Sequence, residues 1–350
     1  MNDPQLDASA LVPMPVEAFT ARLAEDVAGH VRLALPRIGR LHREGLEQAL
    51  SQDGGEALSR TLLRRVDDCV TGFGASELNE QALDRVALER DLRGALAQRA
   101  FHLHYQPKVN AGTGRIVGVE ALMRWRHPER GLVSPAEFIP IAEQCGLIIP
   151  MTEWVLQTAC EQHMDWRRNG LAPVRVSVNL SGRHFASEGL VERVEATLRA
   201  TGMAPEQLEL ELTESSLMEN VEGAIAQLDA LRHSGVTLSL DDFGTGYSSL
   251  AYLKRFPIQT LKIDQSFVRD LPNSRDDAAI VSTIIAMARS LGLDTVAEGV
   301  EAHEQVAFLR AMGCRIMQGY RFYRPLSPEI LEELLPRAAA GAGFSSRGWL

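Results

Sequence analysis

VTLSLDDFGTGYSSLAYLKRFPIQTLKID, Val236 to Asp264, contains two short apolar runs with a glycine-bearing stretch between them. In VTLSLDD, Ser239 and Asp241 alternate with Leu238 and Leu240; in TLKID, Lys262 and Asp264 alternate with Leu261 and Ile263. Side chains alternate across a strand, so each run carries one apolar face and one face whose polar groups come late. An isolated sheet has no use for charge on a face lying between two hydrophobic layers. A closed barrel does, because its strands point alternate residues inward and its sites gather at the C-terminal strand ends.

The same texture extends in both directions. HLHYQPKV, RIVGVEALMRW, VRVSVNLS, LELELTE, DTVAEGV and CRIMQGY join the first two to make eight candidate strands after Phe101, with amphipathic helical segments between them. Eight strand–helix units predict an α/β fold, a (β/α)8 barrel, for which about 250 residues is typical. Alternation puts Glu120, Leu122 and Arg124 on one face, Ser177 and Asn179 on another, and Glu209 and Glu211 on a third. Glu298 and Gln318 fall near the ends of the last two strands.

Before Phe101 the pattern is helical. Val16, Phe19, Leu23 and Val27 recur at three- and four-residue steps, and a last helix is expected from about Glu77 to Arg99. The domain boundaries expected are a helical N-terminal region over 1–87, a barrel over 88–336 and a tail over 337–350.

With a net charge of −10 and 45% hydrophobic residues, the 350-residue chain has ample core and lacks the basic face of a general nucleic-acid binder. The four cysteines, Cys69, Cys145, Cys160 and Cys314, form no CxxC pair, which speaks against a zinc site or a disulfide framework. Neither a signal sequence nor a membrane span is expected, so a cytoplasmic protein is the default.

Carboxylates converging on one barrel mouth repel unless cations or protons neutralise them. Glu120, Asn179, Glu211, Asp241 and Asp242 offer oxygen ligands alone, a set that suits Mg²⁺ or Mn²⁺ better than zinc. Asp241 and Asp242 are adjacent and cannot both point inward from a regular strand. Where the strand ends in a turn, they can bracket two ions, the arrangement used for in-line attack on phosphodiesters. Lys262 then orients the attacking water or neutralises charge on the phosphate.

The motifs YQPKV, EALMRW, NLSGRHF, ELTES, DDFGTGYSSL, LKIDQSFV, AEGVE and QGYRFYRPL, in this order from about Leu88 to Leu335, resemble those of the EAL-domain cyclic-di-GMP phosphodiesterases. The resemblance implies a barrel whose first strand runs antiparallel to the rest. It implies hydrolysis of one phosphodiester of cyclic di-GMP to linear pGpG. Metal ligands are implied at Glu120, Asn179, Glu211 and Asp241, with Asp242 serving a second metal. Lys262 is implied beside the attacking water, and Glu298 as a general base or a carboxylate supporting the metals. Gln318 completes the site, and Gln106 and Arg124 hold substrate. Glu214 is implied as the anchor of a mobile loop, FGTGYSSL, in which Gly244 and Gly246 permit backbone excursions.

The upstream DGGEAL, Asp53 to Leu58, imitates a cyclase motif but carries Ala57 and Leu58 where that motif needs Glu-Phe. Expected partners are cyclic di-GMP, a second copy of the chain in a homodimer, and an unidentified regulatory partner at the N-terminal helices, with no DNA. The alternative to an enzyme is a non-catalytic cyclic-di-GMP receptor; the chain keeps every carboxylate, the lysine and the loop motif that such relatives lose.

Overall fold

The structure, a computed structural model, describes residues 84–98, 100–187, 189–218, 221–244 and 250–337. The expectations placed on 1–83, on residues 245–249 of the mobile loop and on the tail after 337 lie outside the described residues.

Nine strands form the sheet: β1 (Phe101–Asn110), β2 (Arg115–His127), β3 (Gly131–Val133), β4 (Arg175–Leu180), β5 (Leu208–Thr213), β6 (Thr237–Phe243), β7 (Thr260–Ile263), β8 (Asp294–Ala297) and β9 (Ile316–Met317). Their order is β1-β9-β8-β7-β6-β5-β4-β2-β3, and β1 also pairs with β2. That last pairing closes eight strands into a barrel and leaves β3 as a short flap on β2. All neighbours from β2 through β4 to β9 are parallel, whereas β1 is antiparallel to both β2 and β9. The antiparallel first strand is therefore present as expected. It is possible because residues 111–114 turn directly from β1 into β2, whereas parallel neighbours need a helical crossover.

Alternation sorts the strands as the sequence predicts. Leu208, Leu210 and Leu212 of β5 face the helices, while Glu209 and Glu211 face the barrel interior, and all five are buried. Outside, Phe101 meets Trp125 and Phe138 in tilted contacts with centroids 5.9 and 6.0 Å apart, Trp125 meets Phe138 edge-on at 5.8 Å, and Trp166 meets Tyr105 edge-on at 5.0 Å. The helix over 84–97 buries Leu88, Leu92 and Ala95, spaced to share one face, in the same core. It falls within the helix expected from Glu77 to Arg99.

The last two strands are shorter than the sequence suggests. β8 stops at Ala297 and β9 at Met317, so Glu298 and Gln318 stand just past the strand ends. Gln318 is still tied down: its N–H donates to Ala297 and its carbonyl accepts from Val300. Gly319 follows with its Cα pressed on the Val300 backbone, where an added Cβ would lie 2.2 Å from the Val300 oxygen. Gly319→Ala must push this turn off the barrel rim. Overpacking of this kind costs about 1–3 kcal/mol or more, which should lower the thermal midpoint by several degrees. A melting curve superimposable on the parent's would refute the close approach.

Candidate active site

The barrel mouth is organised around one ammonium. Lys262, on β7, is about 1% exposed, and its Nζ lies 2.5 Å from Glu211, 2.6 Å from Glu298, 2.9 Å from Asp241 and 3.9 Å from Glu120. These carboxylates come from β2, β5, β6 and the turn after β8, so four separate segments converge on one cation. Burial alone would strip a lysine of its charge; here the carboxylates hold its pKa well above the ordinary lysine range.

Amides complete the rim. Asn179 Nδ2 donates to Glu120 Oε1 at 2.7 Å, and Gln318 Nε2 donates to Glu120 Oε2 at 2.6 Å and to Gln106 Oε1 at 3.1 Å. Gln106 sits directly opposite Glu120 in the β1–β2 register and donates in turn to the Tyr323 carbonyl at 3.2 Å. Glu120 is thus gripped on both oxygens by side chains that can equally well face an oxygen ligand or substrate.

The adjacent aspartates are accommodated by a bulge. Leu240 pairs with Leu261 but Phe243 pairs with Ile263, so β6 spends one residue more than β7 over this interval. Asp242 is the residue that pays, with φ of 53°, a left-handed conformation held by no other non-glycine among the described residues. Its N–H donates to Asp241 Oδ1 at 2.9 Å. One oxygen each from Asp241, Asp242 and Glu298 falls within 4.8 Å of the other two.

Such crowding keeps some carboxyls neutral. Burial raises the Asp242 carboxyl to about 6, with Asp241 and Asp264 adding to the rise. Burial also raises Glu120, and raises Glu298 well above the usual carboxylate range in spite of Lys262. Glu211 goes the other way: burial opposes ionisation, but the ammoniums of Lys108 and Lys262 outweigh it and pull the group down to about 2. The residues present fit a divalent cation on these grounds. The donors are oxygens, the like charges exceed what the lysines neutralise, and Gln318 Oε1 is a buried acceptor with no donor among the described residues.

Beside Asn179 opens a cleft of about 810 Å³, lined among others by Leu122, Arg124, Ser181 and Arg183. Arg124 is half-buried, its Nη1 donating to the Met123 carbonyl at 2.9 Å. Glu214, at the start of the short helix Glu214–Met218 that follows β5, is buried and accepts at 3.4 Å from the N–H of Gly244, the second residue of the loop it is expected to anchor.

The sequence profile of the EAL domain matches residues 89–325. The chain belongs to the EAL domain family. Among curated relatives it is 48% identical over 259 residues to the bifunctional diguanylate cyclase/cyclic di-GMP phosphodiesterase MucR of Pseudomonas aeruginosa, covering 74% of this chain and 38% of MucR. It is 45% identical over 263 residues to the cyclic di-GMP phosphodiesterase NbdA of the same organism, covering 75% and 34%. The chain therefore spans little more than a third of these two relatives. Among solved structures, the complex of the MucR phosphodiesterase with c-di-GMP superimposes with a TM-score of 0.68 at 48% identity, covering 70% of this chain and 99% of that one. Among the described residues no helix is long and apolar enough to cross a membrane.

In this EAL barrel Glu120, Asn179, Glu211, Asp241, Asp242, Lys262, Glu298, Gln318 and Gln106 all meet at the mouth. Arg124 stands apart, on the wall of the adjoining cleft. Asp264, which alternation groups with Lys262, sits at the rim: it caps the short helix Gln265–Val268 by accepting from the Ser266 N–H at 2.9 Å while its carboxyl stays beside that of Asp242. Two participants went unassigned from sequence. Arg183 adds a second guanidinium to the cleft. Lys108 lies fully buried below the mouth, in contact with Glu211. The same alternation that placed Glu209 and Glu211 would have found it, since Lys108 shares a face of β1 with Gln106.

A divalent cation must displace protons from carboxyls whose pKa is raised. Near pH 6, within the range in which Asp242 titrates, Mn²⁺ binding should release protons from Asp242 and from Glu120, both raised by burial. Comparing binding heats in buffers of different ionisation enthalpy measures the release. As pH falls below about 6, Mn²⁺ affinity should weaken, because more protons must leave; pH-independent affinity between 5 and 7.5 would contradict the crowding.

Proposed function

We propose that this chain hydrolyses cyclic di-GMP to linear pGpG in the cytoplasm, using two divalent cations, Mg²⁺ or Mn²⁺. The observation that carries the reading is Lys262 in contact with Glu211, Asp241 and Glu298, beside a cleft walled by two arginines. Glu120, Asn179, Glu211, Asp241 and Asp242 would hold the cations. When bound, these supply Lewis acidity at the phosphoryl group and a more acidic attacking water.

The chain's own groups divide the remaining work. Arg124 and Gln106 hold the dinucleotide, the guanidinium through a phosphate oxygen. Lys262 fixes the water and balances negative charge as it accumulates on phosphorus. Glu298, held 2.6 Å from Lys262, accepts the water proton at the oxygen that now faces the ammonium. One P–O bond breaks; the hydroxyl goes to phosphorus and a proton to the departing ribose oxygen. Glu214 holds the start of the loop after Asp242 and so steadies the bulge that aims both aspartates. The similarity to MucR and NbdA supports the substrate assignment.

Incubation with cyclic di-GMP and Mg²⁺ should yield pGpG, and excess chelator should abolish it. Calcium should inhibit, since it takes more ligands at longer distances and misplaces the water. Glu120→Ala should eliminate turnover, and Lys262→Ala should lower kcat by about 10²–10³-fold. Full activity in chelator would sink the metal reading; a lysine variant within a few-fold of the parent would sink the water-positioning role. Binding of cyclic di-GMP with no pGpG formed under any metal would make the chain a receptor.

We also propose a homodimer strengthened by the region before the barrel, a reading that rests on sequence pattern. Deleting residues 1–70 should weaken association and change specific activity across a dilution series. Identical dimer affinity and rate at every concentration would leave partner docking as that region's role.

A further inference from the structure

Below the catalytic mouth the barrel holds a second cationic centre with no part in the mechanism above. Lys108 on β1 is fully buried, and its Nζ lies 2.6 Å from each of Ser177 Oγ, Glu209 Oε1 and Glu211 Oε1. An ammonium has three N–H donors, and all three are spent. The cradle is built for its stem. Gly118 faces Lys108 across the β1–β2 pair, and a Cβ there would come within 3.7 Å of Lys108 Cδ and 3.2 Å of the Arg175 carbonyl. Glu209 is further tied by Ser177 Oγ at 3.0 Å and by Arg175 Nη1 at 3.6 Å.

Glu211 is where the two centres meet. Its Oε1 accepts from Lys108 below, and its Oε2 faces Lys262 above at 2.5 Å. Resting on the reading of Glu211 as a metal ligand, we propose that Lys108 is a positioning residue. It tethers Glu211 through Oε1, so that the carboxylate presents Oε2 alone to the mouth with its plane fixed. Lys262 can then leave Glu211 for water or substrate without setting the carboxylate loose, because Lys108 is locked to Ser177 and Glu209. The tether also spans the barrel: it joins β1, the antiparallel strand, to β4 and β5.

Partners that orient a metal-ligating carboxylate typically account for 10–100-fold in metal affinity. The test is Mn²⁺ binding to the whole 350-residue chain, followed by electron paramagnetic resonance of the free ion, with no substrate present. Three variants are compared with the parent. Glu211→Gln reports on the ligand itself. Lys108→Met combined with Glu209→Gln removes the tether while keeping the interior charge constant. Glu209→Gln alone keeps Lys108 on Glu211. The expected pattern is a 10–100-fold loss of affinity in the first two and a change within about threefold in the third. In steady state the double variant should regain most of its kcat at high Mn²⁺ with an unchanged KM for cyclic di-GMP, a split that general damage would not produce.

If Glu211→Gln loses affinity and the double variant matches Glu209→Gln, the tether is wrong and the ligand reading stands. If Glu211→Gln binds Mn²⁺ like the parent, the ligand reading fails and the tether with it. Should the double variant not fold, Ser177→Ala removes one of the three anchors with no change of charge. Weakening by threefold or more is then expected, and parent-like binding overturns the proposal.

Discussion

Concentrating carboxylates inside a barrel is the constraint on which the rest of this structure depends. Glu120, Glu209, Glu211, Asp241 and Glu298 come from strands and turns whose other faces build the hydrophobic layer under the helices. None can retreat to solvent without dragging its strand. Two fully buried lysines, one above the other, answer the repulsion, and Glu211 is shared between them. Removing one member of such a buried network costs about 3–5 kcal/mol, more than its net contribution, because a partner is left uncompensated. Lys262 is therefore a structural counter-ion to carboxylates from four separate segments. A site of this kind remains short of positive charge, and a divalent cation is the natural complement.

The second constraint is geometric. A regular strand delivers one side chain to the mouth and sends the next outward. β6 delivers two, by inserting an extra residue opposite β7 and holding Asp242 at positive φ. The bulge is confined to the segment that leads into the glycine-rich loop, and Glu214 grips the Gly244 N–H within it. Local backbone strain of about 1–3 kcal/mol is thus placed where two carboxylates must converge, and the buried β5–β6 pairing on one side holds it there.

Much of this was legible in the sequence. Period-two alternation identifies which residues of LELEL, VSVNL and TLSLD enter the barrel, because with leucines and valines on one face the polar set has one place to go. The aspartate pair announces an irregularity, since no regular strand satisfies both. Other features were harder to see. Alternation puts Lys108 on the face of Gln106, but His102 and His104 share that face, so the full burial of the lysine is not legible there and follows from β1 closing the barrel against β2 and β9. Asp264 obeys the alternation of TLKID and stays beside Asp242, yet it also caps the helix starting at Gln265, a second task that alternation does not announce. The shortness of β8 and β9 is likewise invisible locally; it follows from the Gln318–Gly319 turn folding onto Val300. Arg183 belongs to a short 3-10 turn after β4, for which the sequence carries no period.

The antiparallel first strand has a mechanical consequence. In an all-parallel barrel the chain enters at the floor, far from the chemistry. Here Phe101 pairs with Trp125 at the far end of β2, so the chain comes in over the rim and runs downward past the site. β1 carries Gln106 at the mouth and Lys108 beneath it, two residues apart on one rod. The helix over 84–97 is joined to that rod at its upper end, with the Ala100 carbonyl accepting from the Arg126 N–H at 3.1 Å. Any axial pull on the chain ahead of Phe101 therefore acts on the Gln106 amide and the Lys108 ammonium together, one at the mouth and one beneath it on a single rod.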